Sequence, residues 1–262
     1  AIAYTNAVTG LPNKNAFREA VRGMIDSGRY EKFGILYLDL DNFKDVNDAF
    51  GHDIGDKVLR AMAACLQNCD MPEGSLYNIG SDEFAIVMTK VPPSRDEARV
   101  QAILQAIEQP ICIDGSVFHI TASMGVVCYP GHGRTYEALL KNADAAMYRA
   151  KENGRGMYVF FDETIGNAVQ EHTRLQNSLR EALARNEFLL YYQPQICTDT
   201  NTLYGFEALL RWKRPGVGVV APAAFIREAE ESRLIAPIGQ WVLESACRFI
   251  RHINEACSAR YL

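Results

Sequence analysis

The stretch Ser75-Leu76-Tyr77-Asn78-Ile79-Gly80-Ser81-Asp82-Glu83-Phe84-Ala85-Ile86-Val87-Met88 decides how this chain is read. Two apolar runs flank Gly80-Ser81, so the segment is expected to fold back as a hairpin whose tip carries the adjacent carboxylates Asp82 and Glu83. Carboxylates held at a turn, with no ion-pair partner visible in the sequence, suit a hard cation and the phosphates that accompany it. A solvated acidic turn is the plain alternative, and the dipeptide alone does not separate the two.

Upstream, Phe33-Gly34-Ile35-Leu36-Tyr37-Leu38 reads as a strand buried on both faces, with Asp39 and Asp41 at its end. Asp39 with Asp82 and Glu83 would supply the two or three oxygens a protein gives Mg²⁺ when substrate phosphates provide the rest, an arrangement that serves phosphoryl transfer. Gly80 would let the backbone approach a phosphate. Asn47 and Asp56 offer the amide and carboxylate that can recognise guanine's edge, or else they cap helices. Lys151 and Arg155 lie one helical turn apart and read either as a dipole pair at a helix C-terminus or as a phosphate clamp. His52 is a general-base candidate or a structural turn residue.

Around these points the pattern alternates. Asn13 is expected to cap a helix carrying Phe17, Val21 and Met24, and helices are expected over about 55–69, 94–109 and 135–153. Strands are expected at 111–114, 117–127 and 157–161. A polar helix over 163–186 then leads to strands at 188–194 and 203–212 and an amphipathic helix in two segments over about 222–255. No short repeat is evident, so the second region reads as a new domain, similar to the opening of a barrel.

The net charge of −5, from 27 basic and 32 acidic residues, argues against a broad nucleic-acid-binding field. Seven cysteines without a CxxC pair suit buried free thiols in a reducing cytoplasm, and a Cys65–Cys69 zinc pair lacks the further ligands it would need. No apolar run reaches the ~20 residues of a spanning helix. Both ends read as cut from a longer protein, with Arg260-Tyr261-Leu262 in an expected strand.

The strings VTGLPNKNAF, LDLDNFKDVNDAFGHDIGD, IGSDEF, ITASMGV and ADAAMYRAKENGRG, in this order between residues 6 and 156, resemble the GGDEF domain of diguanylate cyclases. The resemblance implies a mixed α/β (α+β) fold, a central sheet similar to nucleotide-cyclase and polymerase-palm domains and flanked by helices. It implies condensation of two GTP molecules, one per subunit of a homodimer, into cyclic di-GMP with loss of two pyrophosphates. It assigns Mg²⁺ (or Mn²⁺) to Asp39, the Leu40 carbonyl and Asp82, with Glu83 assisting, so that Asp39, Asp82 and Glu83 form the catalytic set. Asn47 and Asp56 would read guanine, Phe43 and Lys44 line the triphosphate beside Gly80 and Ser81, and Lys151 and Arg155 hold the β- and γ-phosphates. The chain departs from the pattern at Ser81, where the signature has its second glycine, at Asn78, where an Arg is usual, and at Asn6, where an Asp is usual. Met71-Pro72-Glu73-Gly74 stands in place of the RxxD product-inhibition site, so no feedback binding of cyclic di-GMP is expected there.

FLLYYQPQI, GFEALLRW and FIREAEESRLIAPIGQWVLESACRFI resemble the start of an EAL domain, a phosphodiesterase that linearises cyclic di-GMP. By that resemblance Glu207 is a metal-binding glutamate, and Gln193 and Arg211 are substrate contacts. The expected organisation is a GGDEF domain over 1–162, a helical linker over 163–186 and a truncated EAL domain over 187–262 that does not hydrolyse cyclic di-GMP by itself. The expected place of work is the cytoplasm, either free or as the cytoplasmic part of a membrane-bound sensor. A GTP-binding regulator without cyclase turnover is the competing reading, and a pure interaction scaffold the third.

Overall fold

The computed structural model describes residues 4–69, 76–89 and 97–257. The chain folds as two compact units, Ala1–Asn167 and Ala168–Leu262.

In the first unit, the buried strand β1 (Phe33–Leu40) lies at the centre of a five-stranded sheet. Its neighbours are β3 (Glu83–Met88) and β6 (Ala122–Tyr129), both antiparallel to it, with β2 (Leu76–Asn78) and β7 (Tyr158–Phe160) at the edges. The sheet is therefore a mixed one, β7 running parallel to β6. Helices cover both faces. Leu36, Leu38 and Leu40 pack with Phe84, Ile86, Met124 and Val126 against α3 (His52–Gln67) and α4 (Glu97–Ile107). On the opposite face lie α1 (Lys14–Asp26) and α5 (Tyr136–Glu152), with Phe17 of α1 against Tyr77 at 5.2 Å and Tyr136 at 5.9 Å between ring centroids. The caps are those their sequences favour: Asn13 accepts from the Asn15 and Ala16 amides, and Thr135 from Ala138.

Several expectations need correction. The helix expected from about residue 55 starts at His52, and a separate short helix, α2 (Phe43–Phe50), precedes it across Gly51. The strand expected over 117–127 is two strands. β4 (Ile111–Ile113) and β5 (Ser116–Phe118) form their own hairpin around Asp114-Gly115, whose φ values of 51° and 83° suit a tight hairpin turn. The chain must leave that sheet before β6 joins the central one. Buried thiols were expected, but none of the six described cysteines is buried and no disulfide joins them: Cys65, Cys69, Cys128 and Cys197 are half-buried, and Cys112 on β4 and Cys247 on a helix are exposed, since each of these two shares its element with better apolar anchors. The segment 71–74 and the terminal strand expected at 260–262 lie outside the described residues.

Helix α6 (Glu163–Ala184) spans the boundary. In the second unit β8 (Phe188–Cys197), β9 (Thr202–Arg214) and β10 (Gly218–Val220) make an antiparallel sheet in the order β10-β9-β8. After a 3-10 turn come α7 (Ile226–Glu231) and α8 (Ile235–Cys257). Trp212, Phe188, Phe225 and Ile238 form the core, and the Trp212 indole donates to Glu187 Oε2 at 3.0 Å. The strands do not close into a barrel.

Candidate functional site

Strand pairing assembles the acidic end of the first unit's sheet. Asp39, near the end of β1, stands opposite Glu83 on one side and Ser123 on the other. The Leu40 amide donates to the Asp82 carbonyl at 3.1 Å, which ties the hairpin turn to the strand end. From α5, Lys151 Nζ reaches Asp39 Oδ1 at 2.7 Å. Asp39, Leu40, Asp82, Glu83 and Lys151 are thus brought together. The two carboxylates are not both at the tip, because Glu83 is the first residue of β3 and only Asp82 lies in the turn.

The turn is wider than two residues, and Asn78 accounts for its shape. That residue is only 1% exposed. Its side-chain amide donates to the Gly80 and Glu83 carbonyls at 3.0 and 2.9 Å, its Oδ1 accepts from Thr9 Oγ1 at 3.1 Å, and its backbone amide donates to Pro12. The unusual residue at this position therefore braces the loop against the Thr9–Pro12 turn. Asn6 likewise accepts from the Val8 and Thr9 amides at 2.9 and 3.1 Å, as an Asp could. The Glu83 carboxylate lies over Gly80, so a Cβ there would displace it. Ser81 is exposed, and its hydroxyl donates to Asp82 Oδ1 at 2.5 Å.

The electrostatics follow from crowding. Burial pushes the Asp39 carboxyl up, Lys151 opposes that, and Asp82 and Asp41 add to it. Burial also raises Glu83, with Asp39, Asp82 and Asp144 adding to it while the Tyr37 hydroxyl bond works against it. Tyr37 is itself raised by burial and by Glu83. These half-buried carboxylates have more negative charge than Lys151 balances. That donor set fits Mg²⁺ with one or two carboxylates, a carbonyl and phosphate oxygens completing the shell. It does not fit a cage made of protein alone: among the described residues no group of three or more His, Cys, Asp or Glu could hold a metal ion.

Tyr37 and Asp144 belong to this cluster and escaped the sequence reading. Period two along β1 places Tyr37 on the Asp39 face, and Asp144 lies two helical turns before Lys151, so both were legible in principle.

The α2–α3 corner carries the next group. Gly55 is buried in α3, where a Cβ would collide with the Asn47 amide, so the glycine makes the space that Asn47 occupies. Asp56, half-buried, lies next in α3 and reaches Arg60 at 3.7 Å. Lys44 is exposed, whereas Phe43 is 4% exposed and packs in the core. Phe43 can therefore line a ligand only through its backbone, at the first turn of α2. Arg155 is exposed beyond the end of α5, with a left-handed φ of 67°, and makes no ion pair among the described residues. His52 is the first residue of α3 and is exposed.

In the second unit, alternation sorts β8 and β9 into two faces. Phe188 and Tyr192 turn toward α8, with Tyr192 stacked on Phe249 at 3.6 Å. Gln193 pairs with Glu207 in register, and Leu189 with Arg211, on the other face. Gln193 and Glu207 are exposed, and the Arg211 guanidinium lies 5.2 Å above the ring of Tyr191, itself 49% exposed.

With this geometry in view, comparisons place the chain among known proteins. The profile described as "Diguanylate cyclase, GGDEF domain" matches residues 3–157, and that of the EAL domain matches residues 176–260. The bifunctional diguanylate cyclase/cyclic di-GMP phosphodiesterase MucR of Pseudomonas aeruginosa is 37% identical over 254 residues, 95% of this chain and 37% of its own length. The cyclic di-GMP phosphodiesterase PdeR of Escherichia coli K12 is 38% identical over 247 residues, 94% of this chain and 37% of its own length. This chain therefore spans little more than a third of those relatives. Among solved structures, the isolated GGDEF domain of TpbB (YfiN) from Pseudomonas aeruginosa aligns with a TM-score of 0.59 at 30% identity, covering 63% of this chain and 99% of that one.

Proposed function

Because this chain belongs to the diguanylate cyclase GGDEF family and runs on into an EAL domain, we propose that its first unit binds GTP with a divalent cation, Mg²⁺ or Mn²⁺, and condenses two GTP molecules into cyclic di-GMP. The observation that carries this reading is the meeting of Asp39, Glu83 and Lys151 at one end of β1 beside the Asp82 turn. In each half-reaction the 3′-hydroxyl of one GTP attacks the α-phosphorus of the other, its proton passes to solvent water, and the bond between the α-phosphorus and the leaving pyrophosphate breaks. A cation held by Asp39, the Leu40 carbonyl and Asp82, with Glu83 assisting, would offset phosphate charge and acidify the attacking hydroxyl.

The remaining work falls to the chain's own groups. Asn47 and Asp56 bind the guanine edge, while Lys44 and the Phe43 backbone line the triphosphate. Lys151 exchanges its Asp39 contact for the phosphates and, with Arg155, draws charge toward the leaving pyrophosphate. Each site holds one nucleotide, so two copies must face one another and specific activity should rise with protein concentration.

A second reading is a GTP-binding regulator without turnover. It is favoured by the Ser81 hydroxyl on Asp82, which occupies a carboxylate oxygen the reaction needs. Of the two relatives, one is named bifunctional and the other a phosphodiesterase. In the second unit, Glu207, Gln193 and Arg211 are proposed as one metal ligand and two cyclic di-GMP contacts. Metal-assisted hydrolysis needs several ligands, and Glu207 is the single metal ligand that the EAL resemblance assigns within this chain, so it is expected to leave cyclic di-GMP intact. No helix among the described residues is long and apolar enough to cross a membrane.

The test is incubation with GTP and Mg²⁺ over a series of protein concentrations, with pyrophosphate and cyclic di-GMP measured. Product whose specific rate rises with concentration supports the cyclase. GTP binding without product at any concentration supports the regulator, and no GTP binding overturns both.

A further inference from the structure

Asp41 stands two residues beyond the candidate metal ligand Asp39 and yet faces a different task. It is 7% exposed, and its carboxylate is met by donors from two separate segments. Oδ1 accepts from Ser123 Oγ at 2.7 Å, and Oδ2 accepts from Thr121 Oγ1 at 2.7 Å and from the Gly156 amide at 3.1 Å. The Asp41 amide donates to the Thr121 carbonyl at 2.9 Å, so the residue is itself anchored to the start of β6. A buried carboxylate is tolerated only when it is hydrogen-bonded, and here both oxygens accept from protein donors.

The segment it grips is a strained one. After α5 the chain passes through Arg155 with φ of 67° and Gly156 with φ of 58°. A left-handed conformation is unfavourable for a non-glycine residue and persists only where surrounding bonds over-determine it. Two bonds do so: the Arg155 amide to the Ala150 carbonyl at 3.1 Å, and the Gly156 amide to Asp41. Lys151, one turn earlier, is held by Asp39. Both basic residues at the end of α5 are therefore referenced to the same strand end, one through Asp39 and the other through Asp41.

We propose that Asp41 is a positioning residue for the phosphate clamp: by holding the Gly156 amide it fixes the left-handed exit from α5 that aims Arg155 at the β- and γ-phosphates. This rests on the reading of Lys151 and Arg155 as that clamp. Asp41 touches no phosphate itself, so its loss weakens triphosphate recognition while sparing the base and the α-phosphate.

The experiment is calorimetry on the full chain with Mg²⁺ and two probes: α,β-methylene GTP, which keeps three phosphates and cannot be condensed, and GMP. The wild type is expected to prefer the triphosphate, and Arg155→Ala to remove most of that preference. Failure of either overturns the clamp itself and the role of Asp41 with it. With the clamp upheld, Asp41→Ala is expected to cut the preference about tenfold while GMP affinity stays within about twofold, a loss within the range for a hydrogen bond to a charged group. Asp41→Asn, whose remaining oxygen can accept from Gly156 while the Ser123 hydroxyl rotates to accept, is expected to restore it to about threefold below wild type. An unchanged preference in folded Asp41→Ala, or equal weakening of both probes, overturns the proposal. If Asp41→Ala does not fold, Asp41→Asn decides: a threefold fall supports it and an unchanged preference overturns it.

Discussion

The two units treat their polar residues in opposite ways. In the first, helices cover both faces of the sheet, Tyr37 is buried, and Asp39 and Glu83 are drawn into half-buried positions where burial and neighbouring carboxylates push their carboxyls up. In the second, one face of the sheet is packed by Trp212, Phe188 and Phe225, while the face carrying Gln193, Glu207 and Arg211 is open among the described residues. The same device, alternation along paired strands, lines up functional groups in both. In the first unit the enclosing layers also shift the Asp39 and Glu83 carboxyls.

The largest expected effect tests whether the second unit has a core of its own. Trp212 is fully buried and bonded to Glu187, so Trp212→Ala should cost that unit about 3–5 kcal/mol. Hydrogen exchange should rise in β8, β9 and α8 while the amides of β1 and β6 stay protected; a loss of protection in both sheets would break the comparison. Next in size, Asp82→Asn should lower cyclic di-GMP formation roughly 100-fold or more, because a charged ligand is lost where charge accumulates. Glu207→Gln, on the open face, should leave that rate unchanged, and chromatographic product assays of the two variants separate the units directly.

A smaller effect concerns the α2–α3 corner. Gly55→Ala places a methyl where the Asn47 amide lies, so Asn47 must turn away. Discrimination of GTP over ATP in competition binding should fall about tenfold, the scale of one or two lost polar contacts. Unaltered discrimination would remove Asn47 from guanine recognition.

The smallest effect is a pH dependence confined to the first unit. Burial lowers His132 below its ordinary 6.5, against the opposing pull of Asp162, and its neutral Nδ1 accepts from the Cys128 amide at 3.2 Å. The unfolded chain binds the proton more readily, so this contribution is fully present above pH 6.5 and is lost as pH falls through the lower folded value. His132→Asn, which keeps an acceptor without the titration, should flatten the fall in stability seen in denaturant melts between about pH 7 and pH 5. An identical slope in both proteins would exclude His132 as its source.

Much of the site could be read from the chain. Asp39 at a strand end, the Gly80–Asp82 turn and the basic pair around the end of α5 follow from local pattern, because hydrophobic period and turn chemistry are short-range properties. Asn78 shows the limit. From sequence it is a departure at the signature, whereas in the fold it is the buried brace of the turn, joined to Thr9 and Pro12 far upstream. Gly80 is similar, since the Glu83 carboxylate that lies over it is seen only in the fold. The break between β5 and β6 was illegible because both segments are equally apolar, and only membership in different sheets separates them.

By itself the sequence determined most of the elements in their order, the second domain after the first, and the acidic, amide and basic groups proposed to meet phosphate and guanine. These depend on residue type and spacing within a few turns or strands. What the tertiary structure alone decided is how those groups are held: Lys151 on Asp39, Tyr37 on Glu83, and Asp41 on the amide after Arg155. Each joins segments more than forty residues apart in the chain. No local pattern encodes which distant donor meets a buried carboxylate, because that is settled when the sheet and its covering helices pack.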